Sequence, residues 1–382
     1  MTNGFGMDSA RTISLFSGCG GMDIGAERSG AEIVMANDNM PEAAVTYRQN
    51  WPDTEFVEGD VADIENFPAA DLVIGGYPCQ SFTLGGRRDP GSDKRTQLYT
   101  HFARCVADTE PALLVAENVK GLKSLEKGKW LEDQLGLFSG LGAHGYNVVW
   151  RLVNAADYGV PQVRKRVLIV GVRKDLGLHY WFPSPTHARL KLADRLGRKP
   201  HTSHGDALEG LPLWPTGEFY ERPHDPEGHW SWYYMSRNRK AKWDGPSFTM
   251  VANFRHVALH PASPTMTLTW SNLEDNWKQR WDFSGQYEHL EGHPHRPKLD
   301  EPRRLSWREA LRIQGFPRDF EVFADDNKAN ATMKRFEQAG NAVPPALAEA
   351  IIGPLLNGEA LGPTAQNADQ FGPPSNQLPL GA

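Results

Sequence analysis

The residues best suited to chemistry are a cysteine and a glutamate that each follow an apolar run. Cys79 comes after the run 72–74, two glycines and the rigid Pro78, and Glu117 directly follows the run 113–116. Such runs are typical of buried strands, and glycine and proline mark the turn that ends the first one. Neighbouring strands of an open α/β sheet would bring both side chains to its carboxyl edge, where such folds build their sites. The pair predicts a thiol nucleophile with an acid beside it.

Each of these residues also has a simpler interpretation. Most free cysteines are small buried apolar residues, and Glu117 could be a solvated carboxylate at a strand end. The turn favours a chemical role for Cys79, because a cysteine that only packs needs neither the double glycine nor the polar Gln80 that follows it. For Glu117 taken alone, both interpretations stay open.

A second group of residues indicates a cofactor. The first apolar run leads into Phe16-Ser17-Gly18-Cys19-Gly20-Gly21 and then into a helical segment, so a ligand could approach the backbone closely at a helix N-terminus. Asp38 follows the next strand at the distance, about 20 residues, where an acidic residue binds ribose hydroxyls. Asp60 lies where a third strand would end and could accept from an adenine amino group. Either aspartate could instead cap a helix or a turn, but the ordered set predicts an adenosine-containing cofactor.

These residues need a sheet to position them, and the chain has the required pattern. Apolar runs alternate with helical segments up to about residue 172, which predicts an α/β fold with a Rossmann-like, doubly wound and mostly parallel sheet. The predicted strands are 12–16, 33–36, 71–74, 113–116, 148–152 and 167–172. The predicted helices are 22–29, 41–50, 98–109 and 346–356.

Composition divides the chain into four segments. Residues 1–182 form the predicted catalytic and cofactor-binding domain, and residues 183–302, rich in proline, histidine and tryptophan, form a separate irregular domain. Residues 303–357 return to helical signals, including a capping box at Ser306 and Glu309, and are predicted to complete the catalytic domain. Residues 358–382, rich in Gly, Pro, Asn and Gln, are predicted to be a disordered tail.

Charge and cysteine content narrow the function classes. The net charge of −6 does not by itself indicate nucleic-acid binding, but four basic patches favour an anionic polymer. They contain Arg87 and Arg88, Arg164-Lys165-Arg166, Arg237 with Arg239, and Arg303 with Arg304. Three cysteines, without a CxxC or HExxH pattern, predict a reducing, cytoplasmic protein with no structural zinc. No secretion signal and no membrane-spanning run is recognisable.

Six ordered motifs resemble those of the DNA (cytosine-5) methyltransferases, which use S-adenosylmethionine. The resemblance covers nearly the whole chain and departs from the family at Asp38, usually Glu, and at Asn39, often aromatic. The motifs are Phe16-Ser17-Gly18-Cys19-Gly20-Gly21, Gly76-Tyr77-Pro78-Cys79-Gln80-Ser81-Phe82, Glu117-Asn118-Val119, Gln162-Val163-Arg164-Lys165-Arg166, Arg303-Arg304-Leu305-Ser306 with Arg312-Ile313-Gln314-Gly315-Phe316-Pro317, and Gly340-Asn341-Ala342-Val343-Pro344-Pro345.

The resemblance implies the family's methyltransferase fold and roles for individual residues. Catalysis falls to Cys79, Glu117, Arg164 and Arg166. The residues implied at the cofactor are Phe16, Ser17, Gly18, Cys19, Gly20, Gly21, Asp38, Asn39, Met40, Asp60, Val61, Gly76, Pro78, Asn341 and Val343. The candidates for DNA binding are Gln80, Ser81, Arg87, Arg88, Arg237, Arg239 and Arg255, each of which could equally be a phosphate contact or a solubilising residue.

The chemistry of cytosine explains these roles. Because C5 is a poor nucleophile, a thiolate must first add at C6, and Arg164 or Arg166 would favour the thiolate of Cys79. A protonated Glu117 would supply a proton at N3, and Arg164 would orient the base or Glu117. Methylation at C5 and loss of the C5 proton would then expel Cys79. The base must leave the stack for this, and the glycine-containing loop 81–95 has the composition of a mobile lid.

The resemblance also implies the partners. The substrate would be double-stranded DNA bound by a monomer without a metal, with a cognate restriction endonuclease acting on the same site without direct contact. Residues 183–302 would read the sequence in the major groove, and the segments 234–243, 246–249 and 259–261 resemble recognition domains for GGCC-like sites.

Three other functions share some of these sequence features. Transfer-RNA cytosine-5 methyltransferases of the animal DNA-methyltransferase-like type share two of the motifs but usually carry a Cys-Phe-Thr signature that this chain lacks. A non-catalytic DNA-recognition protein would not need Cys79, Glu117 and Arg164. A dehydrogenase is excluded, because the glycine turn lacks the full Gly-x-Gly-x-x-Gly pattern.

Overall fold

The chain folds into two compact units, and each unit is made of more than one segment of the sequence. A computed structural model describes residues 9–77, 98–219, 230–273, 276–290 and 296–363. Unit 1 comprises residues 1–158, 165–186 and 343–382, and unit 2 comprises residues 159–164 and 187–342. No helix in these described ranges is long and apolar enough to cross a membrane.

Strands and helices are numbered along the chain. The strands are β1 (Ala10–Leu15), β2 (Ala31–Asp38), β3 (Glu55–Glu58), β4 (Leu72–Gly75), β5 (Leu113–Val119), β6 (Tyr146–Asn154), β7 (Lys165–Arg173), β8 (Leu178–Tyr180), β9 (His187–Ala188), β10 (Lys199–Pro200), β11 (Met266–Leu273), β12 (Asn276–Phe283) and β13 (Leu361–Pro363). The helices are α1 (Gly21–Arg28), α2 (Pro41–Asn50), α3 (Leu98–Thr109), α4 (Lys129–Ser139), α5 (Leu190–Leu196), α6 (His204–Leu208), α7 (Trp232–Met235), α8 (Trp307–Gln314), α9 (Ala331–Asn341) and α10 (Pro345–Leu356).

Unit 1 is built on a seven-stranded sheet, as the alternation of apolar runs predicted. Its order is β3-β2-β1-β4-β5-β7-β6; the first five strands are parallel, and β7 runs antiparallel to both of its neighbours. Strands β4 and β5 are almost wholly buried, because helices cover a parallel sheet on both faces. The strand order reverses between β1 and β4, and the carboxyl ends of these strands form the usual ligand crevice of an open α/β sheet.

Helix α10 closes unit 1 by packing on α1. A Cβ atom at Gly25 of α1 would lie 2.5 Å from the Cβ atom of Ala348, so the two helices approach as closely as their backbones permit. The hydroxyl of Tyr180 donates to the carbonyl of Ile351 at 3.0 Å. Strand β13 pairs with β8, so residues 361–363 of the predicted tail form a strand. Residues 364–382 lie outside the described ranges.

Unit 2 is irregular, as its composition indicated, and polar contacts organise much of it. Arg303 forms a bidentate ion pair with Glu309, at 2.7 and 2.9 Å, and both side chains are almost fully buried. Ser306 and Glu309 form the predicted capping box at the start of α8. Arg303 also donates to the carbonyl of Leu213 at 2.6 Å. Such long-range bonds place residues 303–342 in unit 2, whereas the sequence predicted that 303–357 would complete the catalytic domain.

A buried arginine ties three segments of unit 2 together. The guanidinium of Arg164, 1% exposed, donates to the carbonyls of Met250, Gly340 and Ala342 at 2.9, 3.0 and 3.0 Å. Gly340 has to be glycine here, because a Cβ atom would overlap the backbone of Ala252. Arg164 therefore fixes the last residues of unit 2 before the chain returns to unit 1.

Two glutamine side chains reinforce the same place. Gln162 donates to the side-chain oxygen of Gln314 at 2.5 Å and accepts from the amide of Met250 at 3.0 Å. Gln314 in turn donates to the carbonyls of Ala339 and Ala342. Because both glutamines are fully buried, each of these bonds satisfies a polar group that water cannot reach.

Unit 2 also buries a histidine whose ring makes no hydrogen bond in the described part of the chain. His204 is fully buried, and among the described residues neither ring nitrogen is bonded. Burial, with a smaller effect of the Lys240 charge, lowers the pKa of His204 to about 3. The ring is therefore neutral in the folded protein at physiological pH.

Replacing Arg164 with methionine should lower the free energy of unfolding by at least about 3 kcal/mol, because three buried carbonyls lose their donor. The matched control is Arg195→Met on the exposed side of α5, which should change stability by less than about 0.5 kcal/mol. Urea unfolding measures both variants. Equal stability of the two would show that the carbonyl contacts of Arg164 do not hold unit 2 together.

His204 should make the protein less stable in acid. The pKa of His204 in the folded protein lies below its value of about 6.5 in the unfolded chain, so the unfolded chain has the higher affinity for the proton. Protonation therefore favours unfolding as the pH falls below about 6.5. Between about pH 7 and about pH 5 this linkage costs about 2 kcal/mol, which His204→Leu should remove. His144→Gln, at an exposed position of unit 1, is the control. Urea midpoints that depend on pH equally in wild type and His204→Leu would contradict the assignment.

Candidate active site

The glycine-rich turn after β1 adopts an unusual backbone conformation. Phe16 and Gly18 have φ values of +56° and +55°, in the left-handed region that a phenylalanine rarely adopts. The amide and hydroxyl of Ser17 both donate to the carbonyl of Asn37, at 2.9 and 3.0 Å. These bonds hold the turn against the end of β2, and a Cβ atom at Gly18 would have no atom within 4 Å. The turn thus presents bare backbone to open space.

Asp38 links this turn to the end of β2. Its Oδ2 accepts from the amide of Gly18 and its Oδ1 from the amide of Met40, each at 2.9 Å. A carboxylate oxygen can accept more than one hydrogen bond, so these two contacts do not by themselves exclude hydroxyl groups of a ligand. The chemistry of the turn and of Asp38 therefore fits the ribose of an adenosine cofactor.

Asp60 caps the short turn that follows β3. Its Oδ1 accepts from the amide of Ala62 at 3.0 Å, so the capping interpretation is correct, while its second oxygen is not required for that contact. Val61 is buried beside it, and Asn39 at the end of β2 is exposed. The predicted adenine contacts therefore lie at the ends of β2 and β3, next to the turn.

Two aromatic side chains that the sequence motifs did not predict, Trp51 and Tyr47, support the turn. Trp51 packs against Gly20, where any Cβ atom would overlap the indole. The indole Nε1 donates to both oxygens of Glu27 at 2.9 Å, and the ring stacks on Tyr47 at 4.5 Å. Two aromatic residues four positions apart at α2 were the available signal, since such residues share one helix face.

Two further residues near the turn, Cys19 and Asp23, are buried. Burial raises the pKa of the Cys19 thiol to about 12, so Cys19 packs as a neutral thiol. Burial also raises the pKa of Asp23 to about 6, and Tyr47 donates to its Oδ1 at 2.8 Å. Both side chains are fully buried and pack beside the turn.

Glu117 lies at the carboxyl end of β5, as predicted, and is paired with an arginine. The Nε of Arg166 lies 2.6 Å from Glu117 Oε1, and the two side chains are 12% and 9% exposed. A Cβ atom at Gly76 would lie 3.4 Å from Glu117 Oε2 and 3.5 Å from Val343. Glu117, Gly76 and Val343 thus come together at one sheet edge, and the backbone leads from Gly76 towards Cys79.

Arg166 is the arginine that pairs with Glu117 in the structure. The sequence predicted that Arg164 would orient the base or Glu117, and the three carbonyls of unit 2 described above engage its guanidinium. Arg166 faces Glu117 because it pairs with Val119 in the antiparallel β5–β7 ladder. The catalytic roles of both arginines remain predictions.

Part of the predicted site lies outside the described residues. This applies to the nucleophile, its neighbours, the predicted lid 81–95 and the adjoining basic residues, namely Pro78, Cys79, Gln80, Ser81, Arg87 and Arg88. Their roles remain predictions. The amide of Asn118 donates to the carbonyl of Tyr77 at 3.3 Å and fixes the last described residue before Pro78.

The DNA-binding candidates of unit 2 fall into two groups. Arg237 and Arg255 are exposed, and the amide of Arg255 is held by the side chain of Asn253 at 3.0 Å. Arg239 is half-buried: its Nε donates to the carbonyl of Tyr234 at 3.0 Å and its guanidinium lies over that ring. Arg237 and Arg255 can therefore reach a ligand, whereas Arg239 is held by its contacts with Tyr234.

Metal ligands are not assembled in the described part of the chain. No group of three or more histidine, cysteine, aspartate or glutamate side chains there could hold an ion.

Comparison with known proteins places the chain in a family. The family model of C-5 cytosine-specific DNA methylases matches residues 10–357. The chain is 35% identical to the Type II methyltransferase M.BsuRI of Bacillus subtilis, over 92% of this chain and 80% of the relative. It is 37% identical to M.BspRI of Lysinibacillus sphaericus, over 90% and 81%.

Solved structures show the same architecture. A putative DNA modification methyltransferase encoded within an Escherichia coli prophage superposes with a TM-score of 0.58 at 26% identity, covering 91% of this chain and 98% of that one. The Dnmt2 methyltransferase of S. pombe has a TM-score of 0.57 at 16% identity, covering 89% and 96%, and supports the fold alone. The chain belongs to the C-5 cytosine-specific DNA methylase family and is a DNA (cytosine-5) methyltransferase of the restriction–modification type.

Proposed function

We propose that this enzyme methylates C5 of a flipped-out cytosine in a short duplex DNA sequence, with S-adenosylmethionine as methyl donor and Cys79 as covalent nucleophile. The observation that carries the proposal is the Glu117–Arg166 pair beside Gly76, at the sheet edge from which the chain runs to Cys79. A nucleophile next to an oriented carboxyl group is the arrangement that addition to a cytosine ring requires.

The cofactor would lie on the turn after β1. Backbone atoms of the turn from Phe16 to Gly20 would face it, Asp38 would accept from the ribose hydroxyls and Asp60 would accept from the adenine amino group. Val343, next to Gly76, would line the side towards Glu117. When bound, S-adenosylmethionine supplies a methyl group attached to a sulfonium centre, which is electrophilic. The open space at Gly18 supports this placement.

The chain's own residues would activate the base. The Cys79 thiolate forms a bond to C6, and the electron pair of the C5–C6 double bond moves into the ring, where N3 takes up a proton. Glu117 is placed to hold that proton on Oε2, because Oε1 is engaged by Arg166 and Oε2 faces Gly76. Arg166 thereby fixes the direction of the carboxyl group. After C5 carries its methyl group, the C5 proton leaves to solvent, and its electron pair restores the C5–C6 double bond as the bond between sulfur and C6 breaks. N3 returns its proton to Glu117.

The reaction requires that the target base leave the helix, since its C6 atom is covered by stacking in duplex DNA. Sequence would be read by unit 2. We propose that Arg237 and Arg255 donate to guanine in the major groove of a GGCC-like site, because arginine matches the two acceptors of guanine. Arg239 supports them through its contacts with Tyr234.

RNA methylation is the second candidate, because the nucleophile and glutamate motifs occur in transfer-RNA enzymes too. The relatives with more than a third of their residues identical are named as Type II methyltransferases, which favours DNA. Mapping methyl groups at single-base resolution on plasmid DNA and on total transfer RNA separates the two, since only one polymer should be labelled at C5 of cytosine.

Cys79→Ser should lower methyl transfer by at least about a thousandfold, because a hydroxyl is a far poorer nucleophile than a thiolate at neutral pH. Binding of S-adenosylmethionine, measured by calorimetry, should be retained. Cys105→Ser is the matched control: it lies in the middle of α3, where the new hydroxyl can bond to the preceding turn of the helix. Wild-type rates of transfer in Cys79→Ser would exclude the covalent mechanism.

Gly18→Ala should weaken binding of S-adenosylmethionine by about tenfold or more, because the new methyl group would occupy space next to the proposed cofactor; such a loss is about 1.4 kcal/mol. Gly30→Ala is the control. It introduces alanine at another positive φ, +93°, with no atom within 4 Å, in the turn between α1 and β2. Both variants should lose similar stability from backbone strain, about 1 kcal/mol. Equal cofactor affinity in the two variants would place the cofactor elsewhere.

A further inference from the structure

A histidine in unit 2 lies among four arginines. His256 ends the short turn Phe254–His256, and the charges that act on its ring are those of Arg239, Arg304, Arg237 and Arg255. After burial of the ring, which is the larger cause, these charges lower the pKa of His256. Burial and the arginine charges both favour the neutral imidazole in the free protein, and the histidine lies on a surface that we assign to DNA.

Contacts on both sides fix the ring within this cluster. The ring of Tyr233, 57% exposed, lies 5.0 Å from that of His256. Arg239 donates to the carbonyl of His256 at 3.4 Å, and the guanidinium of Arg304 lies 4.3 Å from the centre of the Tyr234 ring. Within the described residues, Nδ1 of His256 has no hydrogen-bond partner. The imidazole is thus held in place by packing and not by a bond that would fix its protonation state.

The neighbouring helix brings no compensating charge to the ring. Helix α9 packs against the same turn, but its charged side chains are engaged with other residues. Lys334 pairs with Glu337 at 3.0 Å, and Arg335 pairs with Asp326 at 2.7 Å. Among the described residues whose charges act on the ring there is no carboxylate, and we take an anionic ligand as the counterpart of His256 and the four arginines.

DNA phosphates would supply that counterpart. We propose that His256 takes up a proton when DNA binds to this cluster, becomes a further cationic contact to the DNA, and makes binding tighter as the pH falls. The inference rests on the proposed function, because it takes DNA as the ligand of Arg237 and Arg255. It adds a residue whose charge state depends on the substrate, since negative charge near the arginines removes the repulsion that excludes the proton from the free protein.

Linkage sets the size of the effect. A site that gains a fraction of a proton on binding changes its affinity by up to tenfold per pH unit. Between about pH 7.5 and about pH 6, at constant ionic strength, the dissociation constant of wild-type protein for a duplex with the mapped target site should fall by about threefold to tenfold. His256→Gln, which keeps a polar side chain but cannot be protonated, should lose this pH dependence.

The control variant is His179→Gln. His179 lies in β8 of unit 1, and burial lowers the pKa of its imidazole too, so it tests whether any histidine that titrates in this range changes DNA binding. It should keep the wild-type pH dependence. If His256→Gln binds DNA with the same pH dependence as wild type and His179→Gln, the inference is wrong even though the enzyme methylates its site.

A second measurement does not depend on any variant folding. Calorimetric titration of wild-type protein with the target duplex, in two buffers of different ionisation enthalpy at about pH 6.5, gives the number of protons taken up. Uptake of a fraction of one proton supports the inference, and no uptake overturns it. Methylation mapping of the same preparation separates this result from a failure of the proposed function, which would appear as absence of methyl transfer to DNA.

Discussion

The antiparallel pairing of β7 with β5 is the constraint on which the candidate site depends. In a parallel sheet the beginning of one strand lies at the opposite edge from the end of its neighbour. Because β7 runs the other way, its first residues lie beside the last residues of β5, and Val119 pairs with Arg166. This register brings Arg166 to Glu117 in a nearly buried ion pair. The carboxyl ends of the parallel strands form the edge at which we propose the cofactor to bind. The reversed strand β7 adds Arg166 to that edge.

Arg164 and Arg166 belong to one sequence motif, but their surroundings give them different hydrogen-bond partners. Arg164 and Arg166 are separated by one residue, yet they belong to different units of the structure. Three backbone carbonyls engage Arg164, whereas a carboxylate engages Arg166. Arg164 keeps its partners unless the backbone of unit 2 changes. Arg166 shares a partly accessible edge with Glu117, where a substrate could compete for the same hydrogen bonds.

Local patterns in the sequence predicted the local structure well. Helices α2 and α3 have the predicted bounds, and the capping box at Ser306 is present, because Pro41 and the Ser–Glu spacing act over a few residues. The assignment of residues 303–342 differs from the prediction because it depends on bonds such as that from Arg303 to Leu213, 90 residues apart. The pairing of Glu117 with Arg166 could not be predicted for the same reason, since strand direction cannot be read from Arg164 or Arg166 alone.

The order in which the chain is made has a consequence for its folding. Unit 1 is interrupted, and the helix that covers α1 begins at Pro345, after all of unit 2 has been synthesised. Until then the face of α1 around Gly25 lacks its close-packed neighbour, and β8 lacks β13. A nascent chain therefore carries an incomplete unit 1 through most of translation, and exposed apolar surface of this kind favours aggregation and chaperone binding. Premature termination within unit 2 would leave unit 1 permanently incomplete.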